Sequence, residues 1–152
     1  MERVAFRRAV AADLPAMLRL LADDEVAQAR GGYGADITPE VAAAFDEIVR
    51  DANNELWVGE CGGEVVAMLQ LTLIPGLSRG GMRRALVEAV RVRSDLRSRG
   101  IGEALMAHAE QRARAEGCGL IQLTTDVKRL AAHRFYERIG YAPSHIGMKK
   151  KL

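Results

Sequence analysis

The sequence predicts a single-domain α/β (α+β mixed) fold in which helices flank one sheet. Three observations carry this reading. The 152 residues suit one domain, residues 1–152, able to bury about 70% of the surface its unfolded chain exposes. Residues 55–61 and 64–74 are β-rich runs joined by Gly62-Gly63, the signature of a tight hairpin. Residues 86–124 read as strand, arginine-and-glycine turn, helix and strand, which makes one parallel βαβ unit.

The other elements follow in order. Residues 4–8 form a short first strand, and Asp13-Leu14-Pro15 opens a helix whose stripe of Leu18, Leu20 and Leu21 is core. Residues 28–37 carry Gly31-Gly32-Tyr33-Gly34 and read as a flexible connection, after which Thr38-Pro39-Glu40 starts a second helix reaching about Asn53. Pro75-Gly76 ends the second hairpin strand, and residues 78–82 are a further loop. The helix that begins at Gly100-Ile101-Gly102 places Ile101, Leu105, Met106, Ala109 and Ala113 on one side and closes at Gly117. Residues 120–124 form an apolar strand, and a last helix over residues 130–138 presents Ala132, Phe135, Tyr136 and Ile139 before Gly140. Residues 145–152 fit a final edge strand guarded by its lysines.

Composition narrows the function. With 49% hydrophobic and 28% charged residues the chain is too apolar for disorder. Cys61 and Cys118 belong to no paired motif and the three histidines complete no zinc spacing, so no metal site is expected. No run approaches the ~20 apolar residues of a membrane span, and no apolar leader core follows Met1, which points to a cytoplasmic protein with reduced thiols. The net charge of +2, from 22 basic and 20 acidic residues, gives no reason to expect a nucleic-acid partner; Lys149-Lys150-Lys151 reads as solvated terminal charge.

The chemistry lies in the βαβ unit. Its turn and helix start sit at the carboxyl end of the parallel strands, where unpaired helix N–H groups and the helix dipole receive anions. Gly100 and Gly102 permit close backbone approach, and Arg97 and Arg99 add charge-assisted donors. The run Val92-Arg93-Ser94-Asp95-Leu96-Arg97-Ser98-Arg99-Gly100-Ile101-Gly102 resembles the acyl-CoA signature of the GNAT N-acetyltransferase superfamily. A second stretch, Ala132-His133-Arg134-Phe135-Tyr136-Glu137-Arg138-Ile139-Gly140-Tyr141, is similar to that family's Phe-Tyr-x-x-x-Gly-aromatic helix.

The resemblance implies a mostly antiparallel mixed sheet with splayed parallel central strands. It implies acetyl-CoA as acyl donor, its pantetheine arm along Val90, Arg91 and Val92 and its pyrophosphate held by Arg97, Ser98, Arg99, Gly100, Ile101 and Gly102. The family often carries Asn seven residues before the helix tyrosine, and this chain has Arg129 there.

Amide formation needs an uncharged amine and a proton for the departing sulfur. Glu88 is the one acid between Arg79 and Ser94, and strand alternation puts it on the face of Leu86, Val90 and Val92. Read without the family, Glu88 pairs with a neighbouring arginine and Tyr136 is packing. The resemblance makes Glu88 the general base and Tyr136 the general acid. It implies an acceptor that is a primary amine of a small molecule or peptide. The loops over residues 28–37 and 75–82 offer Tyr33, Asp36 and Arg79 as candidate contacts in its pocket, or are plain connectors, and the choice between monomer and homodimer is open. His133 reads as a surface residue, His108 and His145 have no partner pattern, and Cys61 reads as an inert thiol. The rivals are a Rossmann oxidoreductase, weakened by the missing third glycine, and a non-catalytic acyl-CoA sensor.

Overall fold

The computed structural model describes residues 3–29 and 34–152. Five strands form one sheet in the order β1 (Ala5–Arg8), β2 (Asn54–Cys61), β3 (Glu64–Ile74), β4 (Arg84–Val92) and β5 (Leu120–Leu123). The first three neighbouring pairs are antiparallel; β4 and β5 are parallel. The β2–β3 hairpin turns at Gly62 and Gly63, whose φ angles of 59° and 79° are the left-handed values such a turn needs.

Both sheet faces are packed. Against one lies α5 (Ile101–Ala115), whose Ile101, Leu105, Met106, Ala109 and Ala113 are all buried with Leu69, Leu71, Leu73, Ala85 and Val87, as the periodicity predicts. Against the other lie α1 (Leu14–Ala22) and α3 (Pro39–Arg50), which bring Met17, Leu20 and Phe45 onto Leu56, Val58 and Met68. Thr38 caps α3 by accepting the Val41 N–H at 3.3 Å. The helix α6 (Leu130–Arg138) matches its predicted bounds.

Three expectations need correction. The connection predicted over residues 28–37 overlaps the end of a short helix, α2 (Glu25–Ala29), and part of it, including Tyr33, lies outside the described residues. The loop over residues 78–82 contains a single irregular turn, α4 (Ser78–Gly81), with Arg79 at φ 55°. Residues 145–152 form no strand: their alternation is carried only by Ile146, Met148 and Leu152, all of them exposed, and the three consecutive lysines Lys149-Lys150-Lys151 interrupt it. Among the described residues β5 is therefore the sheet edge beyond β4. No helix of the described residues is long and apolar enough to cross a membrane.

One buried charge ties the far side of the sheet. Glu55 on β2 is 3% exposed and accepts from Trp57 Nε1 at 2.7 Å and Arg112 Nη2 at 2.8 Å, with Arg8 at 2.7 Å. Burial pushes its pKa up, but the bonds from Arg112 and Trp57 and the charges of Arg8 and Arg112 outweigh that and leave it below the ordinary 4.5. His108 packs beside this group, its ring 4.2 Å from Trp57 and 5.3 Å from Phe6, and burial lowers its pKa. A depressed carboxylate stabilises the fold above its unfolded pKa and loses that contribution as pH falls through its folded value. Glu55→Gln is therefore expected to cost about 2 kcal/mol in urea unfolding at pH 7, with both arginine partners partly solvated. The gap to wild type should shrink below pH 4.5; an equal gap at pH 4 and pH 7 would contradict the assignment.

Candidate active site

The site starts where a ladder stops. β4 pairs with β5 only from Arg84↔Leu120 to Val87↔Leu123, while β4 runs on beside β3 to Val92. Residues 88–92 thus present one strand edge that β5 does not cover, the splay that the family resemblance implies. Two of its carbonyls meet arginine side chains instead: Val90 O accepts Arg91 Nη1 at 2.8 Å and Val92 O accepts Arg97 Nε at 3.1 Å. Each carbonyl keeps a second lone pair.

A bulge then sets which side chains face which way. Gln70↔Glu88 and Met68↔Arg91 are partners, so Leu69 alone opposes Ala89 and Val90, and Ala89 takes φ 53°. The extra residue reverses the alternation. Glu88 shares its face with Leu86, Gln70 and Arg91, whereas Val90 and Val92 pack into the α5 core, contrary to the simple alternation expected from sequence. Glu88 is exposed and makes no salt bridge among the described residues, so the pairing with a neighbouring arginine is not formed.

Beyond β4 the chain makes a short 3₁₀ turn, Ser94–Leu96, and enters α5 through Ser98 at φ 60° and Gly100 at φ 82°. Gly100 serves as N-cap without a side chain. Ala104 N–H bonds Gly100 O at 3.0 Å, and the amides of Ile101, Gly102 and Glu103 are the first-turn donors with no acceptor inside the helix. A Cβ on Gly100 would meet nothing within 4 Å, so the cradle is open there; one on Gly102 would lie 3.4 Å from Phe135. Ile101 is buried, so it offers only backbone. Arg97 is half-exposed and braces the loop through Val92 O and, at 2.8 Å, Asp23 O. Asp23 Oδ2 also accepts Ser94 N–H at 2.9 Å. Arg99 is exposed.

Tyr136, on α6, packs its ring against Phe135 and Tyr141 at centroid distances of 5.1 and 5.9 Å. Its hydroxyl has no hydrogen-bond partner among the described residues. Burial pushes its pKa above 10.0, and the charges of Arg91 and Arg129 hold that rise back. The phenol is therefore protonated at neutral pH and able to donate.

Sequence reasoning missed Asp24. It is 6% exposed, follows α1, and its Oδ2 receives Arg91 Nη2 at 2.8 Å together with Arg129 Nη2, while Oδ1 accepts Val26 N–H at 3.1 Å. Burial drives its pKa up, but the Arg129 bond and both guanidinium charges prevail and hold it below the ordinary carboxylate value. Nothing local in the sequence couples residues 24, 91 and 129. His133, expected at the surface, is half-buried with Nε2 2.8 Å from Asp126 O. Of the proposed acceptor contacts, Asp36 and Arg79 are exposed.

Comparison with known proteins places this arrangement. The model of the acetyltransferase (GNAT) family matches residues 15–141. The chain belongs to the GNAT acetyltransferase family. It is 41% identical over 90 residues to an aminoalkylphosphonate N-acetyltransferase of Salmonella typhimurium, a match covering 59% of this chain and 58% of that relative, a little over half of its length. A crystal structure described as a transcriptional regulator from Bacillus halodurans C-125 superposes with TM-score 0.93 at 44% identity, covering 99% of this chain and 100% of that one. The GNAT fold is also shared with AAC(6')-Iy in complex with a bisubstrate analog, CoA-S-monomethyl-acetylneamine, at TM-score 0.79 and 14% identity, over 99% and 98% of the two chains.

Gly100→Ala tests the cradle. The new methyl finds room but not the left-handed conformation, so stability should fall by about 1 kcal/mol and the KM for the acyl donor should rise, with kcat moved less. An unchanged KM would show that this backbone does not bind the donor.

Proposed function

We propose that this GNAT-family chain is an N-acetyltransferase that moves an acetyl group directly from acetyl-CoA to a primary amine of a small molecule or peptide. The observation that supports it best is the meeting of three features at one end of the sheet. These are the uncovered edge of residues 88–92, the open helix start at Gly100, and a protonated Tyr136 flanked by cationic side chains. The residues fit the coenzyme. First-turn amides of α5 and the charge of Arg97 and Arg99 suit a pyrophosphate, Ser98 and Gly100 give the loop its curvature, and the edge of Val90, Arg91 and Val92 suits an amide-bearing arm. Acetyl-CoA supplies the activated acyl group as a thioester.

The protein supplies the proton traffic. An alkylammonium with pKa near ~10 has no free lone pair, so Glu88 takes up its proton, directly or through water, before the freed amine attacks the thioester carbonyl and forms the C–N bond. Tyr136 gives its phenolic proton to the sulfur as the C–S bond breaks; a thiolate of pKa near ~8.5 takes it once charge has developed and the phenol is re-formed from solvent. The aminoalkylphosphonate in the name of the Salmonella relative is one amine of the proposed class. The sensor reading shares the cradle and differs in turnover alone.

Acetyl-CoA with a panel of primary amines should release free CoA and yield acetylated products by mass spectrometry; binding of acetyl-CoA without release on any amine or peptide would favour the sensor. Tyr136→Phe should cut kcat by about 100-fold and leave the donor KM nearly unchanged. Because burial raises the phenol, the alkaline fall in wild-type kcat should lie above pH 10.0. Glu88→Gln should lower the rate most at acid pH, where the amine is hardest to deprotonate, whereas a profile parallel to wild type would make Glu88 structural.

A further inference from the structure

Two guanidiniums converge on one carboxylate beside the proposed reaction centre. Asp24 spends both oxygens, Oδ2 on Arg91 and Arg129 and Oδ1 on the Val26 amide. The trio therefore keeps a net positive charge. It also keeps spare donors: Arg91 Nε is buried without a partner, and the Arg129 guanidinium donates to Asp24 alone among the described residues. A guanidinium has five N–H donors and cannot shed its proton, so a buried surplus of this kind is satisfied by an anion with several acceptor oxygens.

Its placement fixes what that anion belongs to. Because of the bulge at Ala89, Arg91 and Glu88 lie opposite Met68 and Gln70, two residues apart on β3 and so about 7 Å from one another along one face. Arg129 is the N-cap of α6, the helix that carries Tyr136 two turns further on. The surplus charge thus lies beside the proposed base on the face turned away from the α5 core, and near enough to Tyr136 for both guanidinium charges to act on its phenol.

We infer that Arg91 and Arg129, held by Asp24, form an anion subsite for the acceptor. The acceptor class is then a short primary amine carrying a carboxylate or phosphonate a few bonds from nitrogen. This deepens the acetyltransferase reading and rests on it. With the anion on the arginines, a chain of two or three carbons spans the ~7 Å to Glu88 and delivers the amine to it. A neutral amine of equal length leaves the donors unpaired and is bound less well.

The test compares kcat/KM for 2-aminoethylphosphonate, β-alanine and n-propylamine with acetyl-CoA as donor. At least one anionic amine should exceed n-propylamine by about tenfold or more, and the better of the two identifies the headgroup. In Arg91→Gln and Arg129→Gln that ratio should collapse towards one. Arg129 is the more exposed of the two, so its variant decides the matter if Arg91→Gln fails to fold. A wild-type ratio near one would overturn the inference while leaving acetyl transfer intact. So would an unchanged ratio in the variants with a raised KM for acetyl-CoA, which would assign the arginines to the donor. If no amine is acetylated, the acetyltransferase reading fails; calorimetry of 2-aminoethylphosphonate with the CoA-saturated protein still reads the subsite, and absence of heat there overturns it.

Discussion

The site depends on the short pairing of β4 with β5. Parallel strands that paired along their whole length would bury every backbone group in the sheet and leave no edge to bind with. Here the ladder ends after Val87↔Leu123, and residues 88–92 continue with one side uncovered. The Arg91 and Arg97 side chains that cap the carbonyls of Val90 and Val92 show how the fold satisfies that edge without closing it. The same divergence brings the start of α5 to the end of the uncovered edge, so the two binding surfaces of the proposed donor site are consequences of one termination.

Arginine is used here chiefly as internal bracing. Arg112 and Arg8 neutralise Glu55, Arg97 and the Ser94 amide fasten the turn to Asp23, and Arg91 and Arg129 meet at Asp24. These bonds join the end of α1 to β4, the glycine turn and α6. The proposed acceptor and donor sides are thereby held in one frame, which is what the proposed direct transfer between two bound substrates requires. The small net charge of the chain conceals this, because each brace pairs opposite signs.

Local physics was legible in the sequence, and nonlocal pairing was not. Gly62-Gly63 announced its hairpin, the stripe of α5 gave five buried residues, and Thr38 and Gly100 marked helix starts, because each is decided within a few residues. The candidate site was legible where motif residues carry their own geometry: Gly100 adopts the positive φ that only a glycine takes cheaply, and Tyr136 is buried on the predicted helix. The face of Glu88 was misread, since alternation assumes an unbroken ladder and Ala89 inserts a residue that composition does not reveal. The strand expected over residues 145–152 rested on a weak alternation and forms no ladder. Asp24 was invisible because its role is created by residues 67 and 105 positions away.

Amide hydrogen exchange with and without coenzyme A reads the uncovered edge and the glycine turn together. Binding at the uncovered edge and the α5 start slows exchange at residues 100–103 and 90–92 and leaves the β2–β3 hairpin unchanged. Protection confined to other parts of the chain, or none on saturation with the coenzyme, would contradict it.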